Sequence, residues 1–107
     1  MSWKDEAAIA VITKTMRIKL LKTLNIDGDS ILLKKMKHLF AFWEIEIICS
    51  KETRLVRVKK FIELLTSKMT TRLFMTFIDS LDDKNLANEL LETYMKEGAC
   101  IAQSTED

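Results

Sequence analysis

The chain has no proline, two glycines (Gly28 and Gly98), one histidine and one tyrosine among its 107 residues. A β-sandwich or barrel of this size needs Gly and Pro at many tight turns, so sheet architectures are excluded. The same scarcity lets helices run without breakers. Two cysteines are present, Cys49 and Cys100. They form neither a CxxC pair nor a disulfide framework, and no secretory signal is read, so a cytoplasmic protein with reduced thiols is expected. Cys49 lies inside an apolar run and reads as a small buried hydrophobe. That run, Leu39–Cys49, is interrupted by Glu44 and Glu46 and falls short of the ~18 apolar residues a membrane span needs. No span is expected.

Chemistry is scarce as well. The single histidine, His38, has no Cys, Ser or carboxylate placed to orient it, so neither a catalytic group nor a metal ligand set is indicated, and His38 reads as a surface or boundary residue. Asp82-Asp83 is a helix-start composition. No glycine-rich phosphate loop occurs. Asp27-Gly28-Asp29 has part of a calcium-loop spacing, but Leu32 and Leu33 come where the loop would need its closing Glu. The chain is expected to be no enzyme and to need no cofactor or metal.

What the chain does have is 48% hydrophobic and 31% charged residues, with 17 basic against 16 acidic for a net charge of +1. That balance suits one soluble globular domain and gives no global field toward nucleic acid or membrane. Helix-favouring residues dominate, so the expected class is all-α. Residues 1–97 are expected to form a single bundle and residues 98–107 a flexible tail.

The helices are read from periodicity. The first is expected to begin at Ser2, with Asp5 at capping-box spacing. Ala8, Ile12, Met16, Leu20 and Leu24 then form a stripe at four-residue intervals, widened by Ile9, Val11, Ile18 and Leu21. A helix with so broad an apolar surface is expected to bend. Asn25–Ser30 is the clearest break, where Gly28 permits a turn and Asp29 or Ser30 can cap the next helix. That second helix, from about Ser30 to Leu39, sets Ile31, Leu32, Met36, Leu39 and Phe40 inward and Lys34, Lys35 and Lys37 outward. Phe42–Ile47 alternates like a strand, but no second strand exists to pair with it. It is therefore read as a short third helix with Glu44 and Glu46 at or near the surface.

A fourth helix runs from Lys51 or Glu52 to Thr66 on the stripe Val58, Phe61, Ile62, Leu65, extended by Leu55. A fifth, from Thr70 to Ser80, buries Leu73, Phe74, Phe77, Ile78 and Leu81. Asp82 is expected to cap a sixth helix that buries Leu86, Ala87, Leu90, Leu91 and Tyr94 and ends with Gly98 as its C′ residue.

Basic residues gather on two of these helices: Arg17, Lys19 and Lys22 on the first, and Arg54, Arg57, Lys59 and Lys60 on the fourth. Taken singly they are the solvated faces of amphipathic helices. If the two helices are neighbours in an antiparallel bundle, they merge into one patch. These faces lack the exposed aromatics usual at nucleic-acid sites, so an acidic protein surface is the preferred partner. A small helical domain that uses the patch for nucleic acid or another anionic ligand is the alternative. Phe40, Phe42, Trp43, Ile45 and Ile47 are more apolar than one small core easily hides, which raises an obligate helical dimer as a third possibility.

From Met16 to Met95 the order of residues resembles a caspase recruitment domain of the death-fold superfamily. The resemblance rests on Leu20-Leu21-x-x-Leu24-x-Ile26-Asp27 and Phe42-Trp43-Glu44-x-Glu46-x-Ile48. It rests further on Thr53-Arg54-x-x-Arg57-Val58-x-Lys60-Phe61-Ile62-x-Leu64-Leu65, then Phe74-x-x-Phe77-x-x-x-Leu81 and Leu86-Ala87-x-x-Leu90. The step Thr66–Thr71 has neither Gly nor Pro, where the family commonly has a Gly-Pro step, and Phe42–Ile47 is more apolar than usual. Both features mark a divergent member.

The resemblance implies a six-helix antiparallel bundle of the death-fold type. It also implies homotypic association with another such domain, in a caspase, adaptor or receptor of apoptotic or innate immune signalling, or with a second copy. The basic face would comprise Arg17, Lys19, Arg54 and Lys59, with Arg57 and Lys60 beside them. The acidic face would comprise Asp27, Asp29, Glu44 and Glu46, diluted by Lys34, Lys35 and Lys37.

Overall fold

The structure, a computed structural model, describes residues 5–26 and 31–106, with side chains described to Glu97. Among these residues it contains helices and no strand. The elements are α1 (Glu6–Ala10), a π turn (Val11–Thr15), α2 (Arg17–Thr23), α3 (Ile31–Met36), a 3-10 turn (Lys37–Leu39), α4 (Phe42–Ser50), α5 (Arg54–Ser67), α6 (Thr71–Ser80) and α7 (Lys84–Glu106). The all-α expectation holds.

α1 begins at Glu6, and the start expected at Ser2 lies outside the described residues. Asp5 is extended and is itself the N-cap, its Oδ1 accepting from the Ala8 N–H at 3.2 Å. α1 and α2 are one bent helix joined by the π turn, closed by the Met16 N–H bonding to the Val11 carbonyl at 2.8 Å. The π turn explains the four-residue stripe. A strict period of four drifts around an α-helix of 3.6 residues per turn, but an i→i−5 turn holds more residues and cancels the drift. Ala8, Ile12, Met16, Leu20 and Leu24 are all buried in consequence. Ile18, expected to widen the stripe, is 66% exposed.

The turn at residues 27–30, with Gly28, Asp29 and Ser30, lies outside the described residues. Phe42–Ile47 is helical, as its lack of a partner strand requires. Thr53 and Thr70 cap α5 and α6 through the Val56 and Leu73 N–H groups, at 3.2 and 3.1 Å. The cap of α7 is Asp83 rather than Asp82: its Oδ1 accepts from the Asn85 and Leu86 N–H groups at 3.0 and 3.1 Å. One residue later in the chain is where the carboxylate reaches the orphan amides. Gly98 does not end α7. The helix continues to Glu106 through Ala99, Cys100, Ile101 and Ala102, a run in which nothing breaks a helix.

One core joins all the helices. Phe61 is fully buried at its centre, with Phe40 at 5.6 Å on one side and Phe77 at 5.9 Å on the other, measured between ring centroids. The inward residues of α5 and α6 are those of their stripes together with Ser80, except that Leu55 is exposed. Leu33 and Met69 are buried although neither stands on a stripe read from the sequence. α1 packs on α7, α2 and the π turn on α5, α3 on α6, α4 on α5 and α6 on α7. No described helix is long and apolar enough to cross a membrane.

Candidate interaction groove between α2 and α5

The π turn adds a residue to the first helix, which turns everything after it by about 100° relative to an unbroken helix. Arg17 and Leu21 of α2 thereby face α5. There they meet Lys59, Ile62, Glu63 and Thr66 across an open groove of about 340 Å³, with Thr13 of the π turn at its end. The floor is apolar, from Leu21 and Ile62, and Arg17 and Lys59 are exposed at the rim. The described ion pairs are Lys19–Glu89, Lys60–Glu63 and Lys68–Glu44, so neither rim cation is neutralised by a carboxylate. Glu63, also in the groove, is drawn to Lys60 at 3.3 Å.

The other residues expected on this basic face have different surroundings. Lys19 turns toward α7 and pairs with Glu89, beside a second α2-side contact in which Thr15 Oγ1 donates to Glu97 at 3.1 Å. Arg54 Nη1 donates to the carbonyls of Leu21, at 3.0 Å, and Leu24. Arg57 donates from Nε to the Ile26 carbonyl and from Nη1 to those of Lys51 and Glu52, at 2.9 and 3.2 Å. These two guanidinium groups close the C-terminal end of α2 and the approaches to α5, where helix-end carbonyls have no intrahelical donor. A sequence signal existed for Arg54. It stands four, seven and eleven residues before Val58, Phe61 and Leu65, hence on the core line of α5 and not on its outer face.

The expected acidic face is not assembled among the described residues. Asp27 and Asp29 lie outside them. Glu46 is exposed, but Glu44, expected at or near the surface, is only 4% exposed. Glu44 shares a helical line with buried Ile48, its i+4 neighbour, which turns it inward. Its Oε1 accepts from the Ala41 N–H at 2.7 Å, capping α4 from within, and from Lys68, whose ammonium also sits 4.9 Å over the Phe40 ring. Burial by itself would push the Glu44 carboxyl up. The Lys68 hydrogen bond and charge and the Ala41 N–H outweigh it and hold the carboxyl below its ordinary range.

Cys49, expected to be buried, is exposed near the C-terminal end of α4, because the core takes Glu44 and Ile48 from that helix instead. His38 is exposed. Among the described residues no group of His, Cys, Asp and Glu is placed to hold a metal ion. Comparison with family models, curated proteins and solved structures finds no match to this chain.

Proposed function

We propose that this chain is a non-enzymatic protein-interaction module, a divergent caspase recruitment domain of the death-fold type, whose α2–α5 groove receives an acidic helical surface of its partner. The observation that carries the reading is that Arg17 and Lys59 line one groove with Leu21 and Ile62 on its floor, and neither cation belongs to an ion pair among the described residues. Such a rim steers and orients an acidic partner, and the floor supplies area to bury.

The fold assignment has its own support. Counting α1, the π turn and α2 as one bent helix leaves six helices among the described residues, and the first of them touches both α5 and α7. The partner is another protein in preference to a second copy. Glu44 is committed inside the fold, and α3 with the 3-10 turn after it presents Lys34, Lys35 and Lys37 where a complementary face would need acid. Apoptotic or innate immune signalling is the setting this reading implies.

The test uses R17E/K59E, since neither side chain makes an internal bond. Binding to a panel of purified caspase recruitment domains with acidic surfaces is measured by anisotropy across salt. The wild type should bind at least one of them, weakening with salt, and the variant should bind about tenfold or more weakly at unchanged helicity. Equal binding by the two proteins would sink the proposal. Salt-steep binding to a generic oligonucleotide, lost in the same variant, would favour an anionic-ligand domain instead.

A further inference from the structure

A second surface lies on α3 and the start of α4, independent of the groove. Phe42 and Trp43 occupy the first turn of α4 and are 74% and 58% exposed. The helix turns its Glu44–Ile48 line inward, which leaves these two rings projecting from the opposite side. Isolated apolar residues at a surface are ordinary, but two adjacent large aromatics are not.

They project beside a cluster of cations. Lys34, Lys35 and Lys37 are all exposed, and none belongs to a described ion pair. The two features are contiguous. Lys34 and Lys37 form one wall of a cavity of about 170 Å³ whose other wall is Ile45 and Cys49 of α4. Phe42 precedes those two by three and seven residues and so continues their line.

We propose that this corner binds the surface of an anionic lipid bilayer, Phe42 and Trp43 entering the interfacial layer while Lys34, Lys35 and Lys37 meet the headgroups. Three considerations select that occupant. An isologous contact with a second copy would set one lysine cluster against another. An acidic helix needs a groove for its apolar face, and the two rings stand outside the cavity between α3 and α4 instead of lining one. A bilayer interface accepts projecting rings without a preformed pocket, holds indole at headgroup depth, and attracts nearby lysines when its lipids are anionic. Glu46, exposed one turn further along α4, limits the insertion to the first turn.

The chain has two tryptophans, Trp3 and Trp43, so W3F leaves Trp43 as the sole indole. Vesicles of phosphatidylcholine, alone or with phosphatidylserine, are added to the full chain, with circular dichroism as the folding control. Trp43 emission should shift to the blue and the protein should cosediment with phosphatidylserine vesicles only, reversibly with salt. K34E/K37E should weaken binding by about tenfold or more, and F42S by about tenfold. Cosedimentation of the chain with Trp3 intact gives the same comparison if W3F is poorly folded.

The R17E/K59E variant should bind vesicles like the wild type, which keeps this proposal separable from the groove's function. Equal binding to uncharged vesicles, wild-type binding by K34E/K37E, or no vesicle binding at all would overturn it. So would a Trp43 shift produced by an acidic amphipathic peptide and not by vesicles.

Discussion

The hydroxyl of Tyr94, on α7, donates to Oδ2 of Asp5, the N-cap of α1. The same oxygen accepts from Thr71 Oγ1 of α6 at 2.6 Å, and the Asp5 N–H donates to the Met69 carbonyl at 3.2 Å. One carboxylate thus caps a helix and ties it to two others. The Tyr94 ring packs 4.8 Å from Phe74, so the hydroxyl and the ring act on separate neighbours. Y94F keeps the ring and removes only the hydrogen bond, and should cost about 1–2 kcal/mol in a denaturant titration. D5A removes the cap as well and should cost about 2–3 kcal/mol.

Glu44 and Lys68 join α4 to the end of α5 in largely buried surroundings. E44A leaves Lys68 without its counter-ion and the Ala41 N–H without its acceptor. It should cost about 2–4 kcal/mol, the exposed part of the lysine moderating the upper value. E44Q keeps an acceptor for both donors and should cost less, and the difference between the two variants measures the charge.

Acid should destabilise the fold through these same two carboxyls. For Asp5, burial acts upward, but hydrogen bonds from Thr71, Tyr94 and the α1 amides outweigh it, and the folded carboxyl lies below its ordinary 3.8. Glu44 likewise lies below its ordinary 4.5. A carboxyl held low in the fold contributes stability that is present above its unfolded pKa and lost as pH falls through the folded one. Thermal midpoints should therefore drop as pH is lowered past the ordinary carboxylate range, and less steeply in E44Q. At the other end, the Asp5 hydrogen bond and burial hold Tyr94 above its ordinary 10.0. Its contribution is complete below that value and lost as pH rises through the folded pKa, a loss that Y94F should not show.

Arg54 and Arg57 should behave as structural residues. R57A orphans three backbone carbonyls and should cost about 2–3 kcal/mol, and R54A somewhat less. R57K should rescue little, because an ammonium cannot reach carbonyls in two segments as a guanidinium fork does. R17A and K59A should stay within about 0.5 kcal/mol of the wild type, as exposed substitutions do. A stability series on the four alanine variants separates cations that hold the fold from cations left for a partner.

The helix class and most inward residues were legible in the sequence because they depend on local periodicity and on the lack of breakers. The stripe from Ala8 to Leu24 and the lines of α5 and α6 specify burial wherever the helices finally pack. Residues between stripes carried no such signal: Met69 is buried only because the chain from α5 to α6 passes over the core. The candidate site was legible by half. Arg17 and Lys59 fall on facing helices as their sequence clustering suggested. A charge count could not tell Lys59, facing solvent, from Arg54, turned onto carbonyls contributed by another helix.

The sequence alone determined that this protein is a bundle of amphipathic helices without sheet partners. Propensity and spacing are the reason, and both act within a few residues. The tertiary structure alone decided what each charge does, because the fate of a charge depends on what packs beside it. Glu44 became an internal cap, Arg54 and Arg57 became clamps on helix ends, and Arg17 and Lys59 were left facing a groove. The sequence raised an excess of apolar residues around α4, and the packed structure decided that Phe42 and Trp43 are the ones left outside, since Glu44 and Ile48 fill the space α4 turns toward the core.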